Sequence, residues 1–406
     1  MLGKYLEAFS PLRLRNYRLW FIGQMFSLTG SWMQIIALNW LVYILTNSPK
    51  SLGFMSLLTF FISIPVALLG GSLADRYPKR NLIMTTQAIM IFPPILVSIL
   101  IWTGAVKVWE VILLAVISEA VQGLTMPIIQ SFIIEITGRD ELPRAIPLNS
   151  MMFNLARMVG PALSGIIIAK YNIALAFFFN GISFIFVVVA LMLMKVNSTN
   201  HTAPPIIAHL RDAFGYALKN KTILIILSLL FVSSTFALST TTIIPVFAKD
   251  IFNSGPKGYG FFMSLLSLGA ILGGILTAFL SNKVKRNMLL ILGGVAYPLM
   301  LFLFSFMKSY HMALFLFALS GLFYVSQFST MNTIIQLETP DERRGRVMSL
   351  YTTIFNSSMR IGGFVAGYLA SYTGAPMALR LMALIPIIYI VFVATKISDN
   401  TCDKVR

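Results

Sequence analysis

The chain has 406 residues, 57% of them hydrophobic and 11% charged, with 31 Lys and Arg against 14 Asp and Glu for a net charge of +17. Soluble domains carry about 25% charged residues, so this composition excludes a water-soluble enzyme or binding module. The excess of basic residues sits in short loops between apolar runs, which excludes the continuous basic face that a nucleic acid needs and points to an anionic membrane leaflet.

Twelve apolar runs follow in chain order: 19–45, 52–74, 82–102, 109–135, 147–169, 173–194, 222–247, 259–281, 288–307, 311–337, 347–371 and 378–396. A hydrocarbon core of ~30 Å needs about 20 helical residues. Backbone in lipid must satisfy its own hydrogen bonds, and barrel strands would be ~10 residues of alternating polarity. The runs therefore predict an all-α integral membrane protein with twelve transmembrane helices. The first run follows Lys4, Arg13, Arg15 and Arg18 and is too long for the core of a cleaved signal peptide.

Between the second and third runs lies GGSLADRYPKRNLI, residues 70–83, with one acid and three bases in a short gap. Between the sixth and seventh lies the one long polar segment. It divides the chain into a bundle over 1–194, a linker over 195–221 and a second bundle over 222–406. Within the linker Ile207, Leu210, Phe214 and Ala217 form a stripe, which predicts a helix lying on the membrane surface. With the N-terminus inside, 22 of the 31 Lys and Arg fall in inner segments, 7 in outer ones and 2 within spans. That bias predicts that both termini are cytoplasmic.

The halves repeat. ITGRDELPRAIPLNSMMFNLARMVGPALSG (136–165) echoes LETPDERRGRVMSLYTTIFNSSMRIGGFVAG (337–367), and the KRN at 79–81 recurs at 285–287 without an accompanying aspartate. Two six-helix repeats are the arrangement of a secondary transporter.

Gly71, Asp75, Arg76, Lys79 and Arg80 stand where the major facilitator superfamily carries its loop 2–3 motif, with Pro78 in place of a second glycine. Gly160, Pro161 and Gly165 are similar to that family's fifth-helix antiporter motif, whose final glycine pair is not intact here. LRNYRLWFIGQMFSLTGSWMQ at the start, ELPRAIPLNSMMFNLARMVGPALSG in the middle and PDERRGRVMSLY late resemble the branch containing enterobactin and macrolide exporters. The resemblance implies two pseudo-symmetric bundles, a cavity lined by helices 1, 4, 7 and 10, and a cytoplasmic latch at Asp75. The plainer reading of that loop is a topology signal, and its bases can serve both ends.

Ionisable residues within spans are costly and become functional candidates. Glu119 begins a stripe with Gln122, Met126 and Gln130 on one face of the fourth helix. It is a candidate proton carrier, a buried hydrogen-bonding acid or a substrate contact. Arg157 is a candidate structural partner or anion contact, with Arg360 as its counterpart in the second repeat. Uncharged stripes run through Gln24, Ser27, Ser31 and Gln34 on the first helix, through Ser228, Thr235, Ser239 and Thr242 on the seventh, and through Ser320, Tyr324 and Gln327 on the tenth. They fit either a cavity wall or interhelical packing.

The sequence has no P-loop, HExxH, CxxC or GxSxG pattern, so ATP-driven transport, metalloenzyme and hydrolase chemistry are not expected. The single Cys402 and three scattered histidines offer no metal site, and no cofactor is expected. The expected protein is a monomer of the bacterial inner membrane. It exports a siderophore or drug-like amphipathic molecule by alternating access in exchange for protons. A facilitator or importer of the same fold, or a non-transporting scaffold, remains the alternative.

Overall fold

The computed structural model describes residues 7, 9–196, 214–281 and 283–401. Most of the described residues are helical, and none of them lies in a strand. A 3-10 turn at Ser10–Arg13 leads into α1 (Arg15–Thr46), followed by α2 (Pro49–Arg76), α3 (Lys79–Trp102), α4 (Val108–Lys170), α5 (Ile173–Leu193) and α6 (Lys221–Phe236). Then come α7 (Gly255–Leu280), α8 (Arg286–Phe304), α9 (Tyr310–Glu338), α10 (Asp341–Thr373) and α11 (Ala375–Thr401). Of the predicted surface helix, residues 214–219 are helical, while Ile207 and Leu210 lie outside the described residues.

Among the described residues nine helices are long and apolar enough to cross a membrane. The difference from twelve has local causes. At 63 residues α4 would be ~95 Å long if straight, about three bilayer cores. It is broken at Gly138, where φ is 74° and ψ 170°, a conformation that glycine reaches without a Cβ penalty. Two predicted spans thus share one element, as a first arm before Gly138 and a second arm after it. The predicted eleventh span lies in α10, whose Asn356, Ser357, Ser358 and Arg360 dilute its hydropathy. Of α2, the described apolar stretch is the shorter Pro49–Ile62.

The chain forms two compact units. One comprises residues 1–46 with 61–204, the other residues 47–60 with 205–406. The core of the first joins Tyr17 and Trp20 of α1, Ile83 of α3, Ile128 and Phe132 of α4, and Val187 and Leu191 of α5. Trp20 meets Phe132 edge-on at 5.5 Å. Where α1 crosses the second arm, Gly160 leaves no room for a side chain: a Cβ there would lie 2.6 Å from Trp32 Cβ and 2.8 Å from the Thr29 carbonyl oxygen. Nearby, Ser164 Oγ donates to the Met33 carbonyl at 2.8 Å. Small residues of this kind let membrane helices approach closely. Gly160→Val is expected to lower the thermal midpoint of the purified protein, since overpacking of this sort costs roughly 1–3 kcal/mol. An unchanged melting curve would contradict this crossing.

In the second unit Phe262 meets Phe304, Tyr310 and Phe317 near-perpendicularly at 5.5, 5.4 and 5.6 Å. Beyond Phe236 the regular helix of α6 gives way to a 3-10 segment (Leu238–Ile243), one α-turn and a π-turn (Phe247–Ile251). The local sequence accounts for the break. Ser239, Thr240 and Thr241 donate their hydroxyls back to the carbonyls of Thr235, Ala237 and Leu238, and Pro245 has no N–H to give. The opening residues of α2 pack with this unit at glycines. A Cβ on Gly53 would meet the Phe364 carbonyl oxygen at 2.9 Å, and Ser56 Oγ donates to the Arg360 carbonyl at 3.0 Å.

Candidate functional site

The first unit contains a cavity of about 570 Å³. Residues Gln122–Ile134 of the first arm and Leu142–Asn154 of the second both contribute to its lining, so the two arms run beside one another around it. Trp20, Gln24, Ser27, Leu28 and Ser31 of α1 form another wall, and Gln87 of α3 and Phe184 of α5 complete it. Pro127, Pro143 and Pro147 lie within this stretch of α4. Each removes a helical donor and its ring displaces the preceding turn, which keeps the arms from packing as straight rods.

The wall combines apolar bulk with amides. Met126, Ile129, Ile133, Ile146 and Phe153 supply the bulk, and Gln24, Gln87, Gln122, Gln130, Asn149 and Asn154 the amides. Gln24 and Gln87 are buried. Gln24 Nε2, Gln87 Oε1 and Asn149 Nδ2 are buried without a hydrogen-bond partner. Asn149 Oδ1 accepts from Tyr17 Oη at 3.4 Å. These three atoms are themselves buried and do not face the cavity space; the lining amides with accessible surface are Gln122, Gln130 and Asn154.

The predicted residues distribute unevenly around this cavity. Gln122 lines it, together with Gln24, Ser27, Ser31, Met126 and Gln130 from the same predicted stripes. Glu119 is half-buried one turn before Gln122 and has an interaction partner of its own. Arg157, one turn beyond Asn154, lies 5.5 Å over the Trp32 ring. Gln34 is not among the lining residues and accepts from Asn180 Nδ2 of α5. Gly160, Pro161 and Gly165 are buried in the second arm.

In the second unit Gln327 Nε2 donates to Ser233 Oγ at 2.8 Å, while its Oε1 is buried without a partner. Tyr324 packs between Tyr297 and Phe328 at 5.6 and 4.9 Å. Ser228 Oγ accepts from Tyr389 Oη at 2.7 Å. Arg360 is half-buried and engaged.

The loop 2–3 residues fall at one end of α2 and the start of α3. Gly71, Asp75 and Arg76 are in the last turns of α2, and the side chains of Asp75 and Arg76 lie outside the described part of the structure. Lys79 is buried in the first turn of α3, where the helix dipole disfavours a cation. Glu135 near the end of the first arm offsets this by pairing with it, the two side chains being 10% and 12% exposed. Arg80 donates to the last carbonyls of α5, from Nε to Leu191 O at 2.7 Å and from Nη2 to Met192 O at 3.2 Å. These two bases therefore clasp α3 to α4 and α5.

Sequence reasoning did not single out Glu135, Gln87 or Asn149. An acid closing an apolar run was the available signal for Glu135. Gln87 follows Thr85 and Thr86, and Asn149 precedes Ser150, but neither belongs to a stripe at helical spacing. Among the described residues no group of His, Cys, Asp and Glu is placed to hold a metal ion.

A family profile described as transmembrane secretion effector matches residues 6–403. The staphyloferrin A transporter of Staphylococcus aureus is 26% identical over 337 residues, covering 79% of this chain and 81% of that protein. The multidrug efflux pump Tap of Mycobacterium tuberculosis is 23% identical over 380 residues, covering 91% and 90%. Macrolide efflux protein A of Streptococcus pyogenes is 19% identical over 378 residues, covering 91% and 92%. Among solved structures, the nucleoside transporter NupG superposes with a TM-score of 0.73 at 17% identity, over 96% of this chain and 100% of that one. A POT family transporter in complex with 5-aminolevulinic acid gives 0.76 at 12% identity, over 94% and 96%.

Proposed function

The chain belongs to the transmembrane secretion effector family of major facilitator transporters, and from that premise we propose that it exports a small or medium amphipathic compound, of drug or siderophore type, in exchange for protons. It is a multi-pass membrane transport protein, not an enzyme. Its relatives carry staphyloferrin A, several drugs or macrolides by name. The observation that supports an amphipathic ligand is the 570 Å³ cavity of the first unit, whose apolar wall is studded with amides, and the outward direction is supported by the secretion and efflux relatives. Pockets of this size and character hold amphipathic ligands by apolar contact and orient them by a few polar groups.

In this reading the cavity opens alternately to the two sides of the bacterial inner membrane, with both termini in the cytoplasm. Glu119, beside the cavity, carries the proton. Each charge moved inward gains ~2.3 kcal/mol per 100 mV of membrane potential, which drives the cargo outward. The loop 2–3 motif secures the cytoplasmic end, with Lys79 and Arg80 holding the loop in place for Asp75 to act.

Cells producing the chain are expected to accumulate less of a fluorescent amphipathic dye than cells without it, and a protonophore is expected to abolish the difference. Equal accumulation across a broad dye panel, or a deficit that survives the protonophore, would contradict this reading.

A further inference from the structure

Residues 214–219 form a short helical turn directly before α6. Asn220 closes the turn by donating its backbone N–H to the Tyr216 carbonyl at 3.2 Å. Its side chain caps α6, accepting from the N–H groups of Thr222 and Ile223 at 3.0 and 3.2 Å. The apolar span begins at Lys221. Phe214 is seven residues earlier, about 10 Å along a helix, so the turn lies at the interfacial layer that borders a ~30 Å hydrocarbon core.

The turn has two faces. On one, Ala217 is buried, and Tyr216 lies under the guanidinium of Arg343, 4.9 Å away in the first turn of α10. The other carries Phe214 and Leu218, one turn apart and 55% and 54% exposed. Lys219 and Lys221 are exposed beside them. Over 219–221 and 338–346 together, five bases stand against three acids, and Asp341, one of the acids, is paired with Arg344. Apolar side chains flanked by bases suit an anionic leaflet, with the apolar groups below the phosphates and the ammonium groups among them. Water would leave the apolar pair without a partner, and a zwitterionic surface would leave the lysines without one.

We propose that Phe214 and Leu218 dock into the anionic cytoplasmic leaflet, with Lys219 and Lys221 on lipid phosphates. Through Arg343 and Tyr216 the same anchorage reaches α10, so the leaflet holds the first turns of α6 and α10 together. The proposal is independent of the cargo and of proton coupling.

The test uses the full-length chain with its single cysteine, Cys402, replaced by serine. A new cysteine is introduced by Phe214→Cys or by Leu218→Cys and labelled with the dye NBD. The protein is placed in nanodiscs of phosphatidylcholine with or without phosphatidylglycerol. At both positions the dye is expected to lose about half its fluorescence or more to lipids bearing a doxyl quencher near the headgroup, and little to aqueous iodide. Lys219→Gln with Lys221→Gln should weaken docking about tenfold, ~1.4 kcal/mol, and omitting phosphatidylglycerol should weaken it likewise. Two labelled positions keep the test standing if one variant fails to fold. Quenching by iodide in place of the doxyl lipid would put the turn in water and overturn the proposal. Protection from both quenchers would mean that protein covers this face, and would overturn it too. So would doxyl quenching that responds neither to phosphatidylglycerol nor to the lysines.

Discussion

Glu119→Gln is expected to abolish proton-driven export while leaving ligand binding within about twofold of the parent protein. The side chain keeps its size and its hydrogen-bonding capacity but can no longer take up and release a proton. A charge within the bilayer costs at least ~2.5–3.5 kcal/mol on insertion scales, so a carboxyl retained there calls for a use. Glu119 is half-buried on the first arm of α4, one turn from the cavity-lining Gln122, where a proton and a cargo can influence one another. The measurement is ligand-induced alkalinisation of acidified everted vesicles, followed with a pH-sensitive dye. A Glu119→Gln protein that still moves protons with its ligand would remove Glu119 from the coupling step.

The second large effect concerns stability. Lys79→Met is expected to destabilise the first unit by roughly 3–5 kcal/mol, because removing one partner of a buried ion pair strands the other charge. Glu135 has a side chain only 12% exposed, and its Oε2 already lacks a partner. Adding Glu135→Leu to Lys79→Met should recover most of the loss, since a pair replaced by apolar groups is often neutral or stabilising. The recovery is read as a double-mutant cycle in thermal unfolding. Additive losses would show that the pair contributes nothing specific.

The fold was legible because the bilayer imposes a coarse requirement, about 20 apolar residues per crossing, and runs of that length survive local irregularity. Finer features depended on tertiary contacts. The exact break between the fourth and fifth predicted spans rests on the backbone of one residue, Gly138, which no periodicity reveals. The polarity of α10 likewise sets it apart from the nine helices that qualify by hydropathy.

The cavity was half legible. Gln24, Ser27 and Ser31, and Gln122, Met126 and Gln130, share faces at helical spacing, so sequence alone groups them. Gln34 shares the first stripe but bonds to Asn180. Gly30 explains why α5 comes so near, since a Cβ there would lie 2.5 Å from Asn180 Oδ1. Gln87 and Asn149 arrive from separate elements and join the wall only when the helices pack. In the second unit the stripe residues Ser228, Ser239 and Ser320 donate their hydroxyls to backbone carbonyls, while the Thr235 hydroxyl is buried without a partner. Stripes of the same composition therefore end in different environments, and only the packing separates them.

The Lys79–Glu135 clasp shows a similar limit. The motif predicted a cluster of charges at a membrane face, but Lys79 is buried and its partner closes an apolar run 56 residues away.

Export driven by a proton gradient is tested most directly by uptake of dansyl-leucinamide into everted vesicles under an imposed pH gradient, acid inside. Uptake is expected in vesicles containing the chain, and it should stop when the gradient is collapsed. Uptake equal to that of vesicles lacking the chain, or undiminished after the gradient is collapsed, would contradict proton-driven export of this ligand.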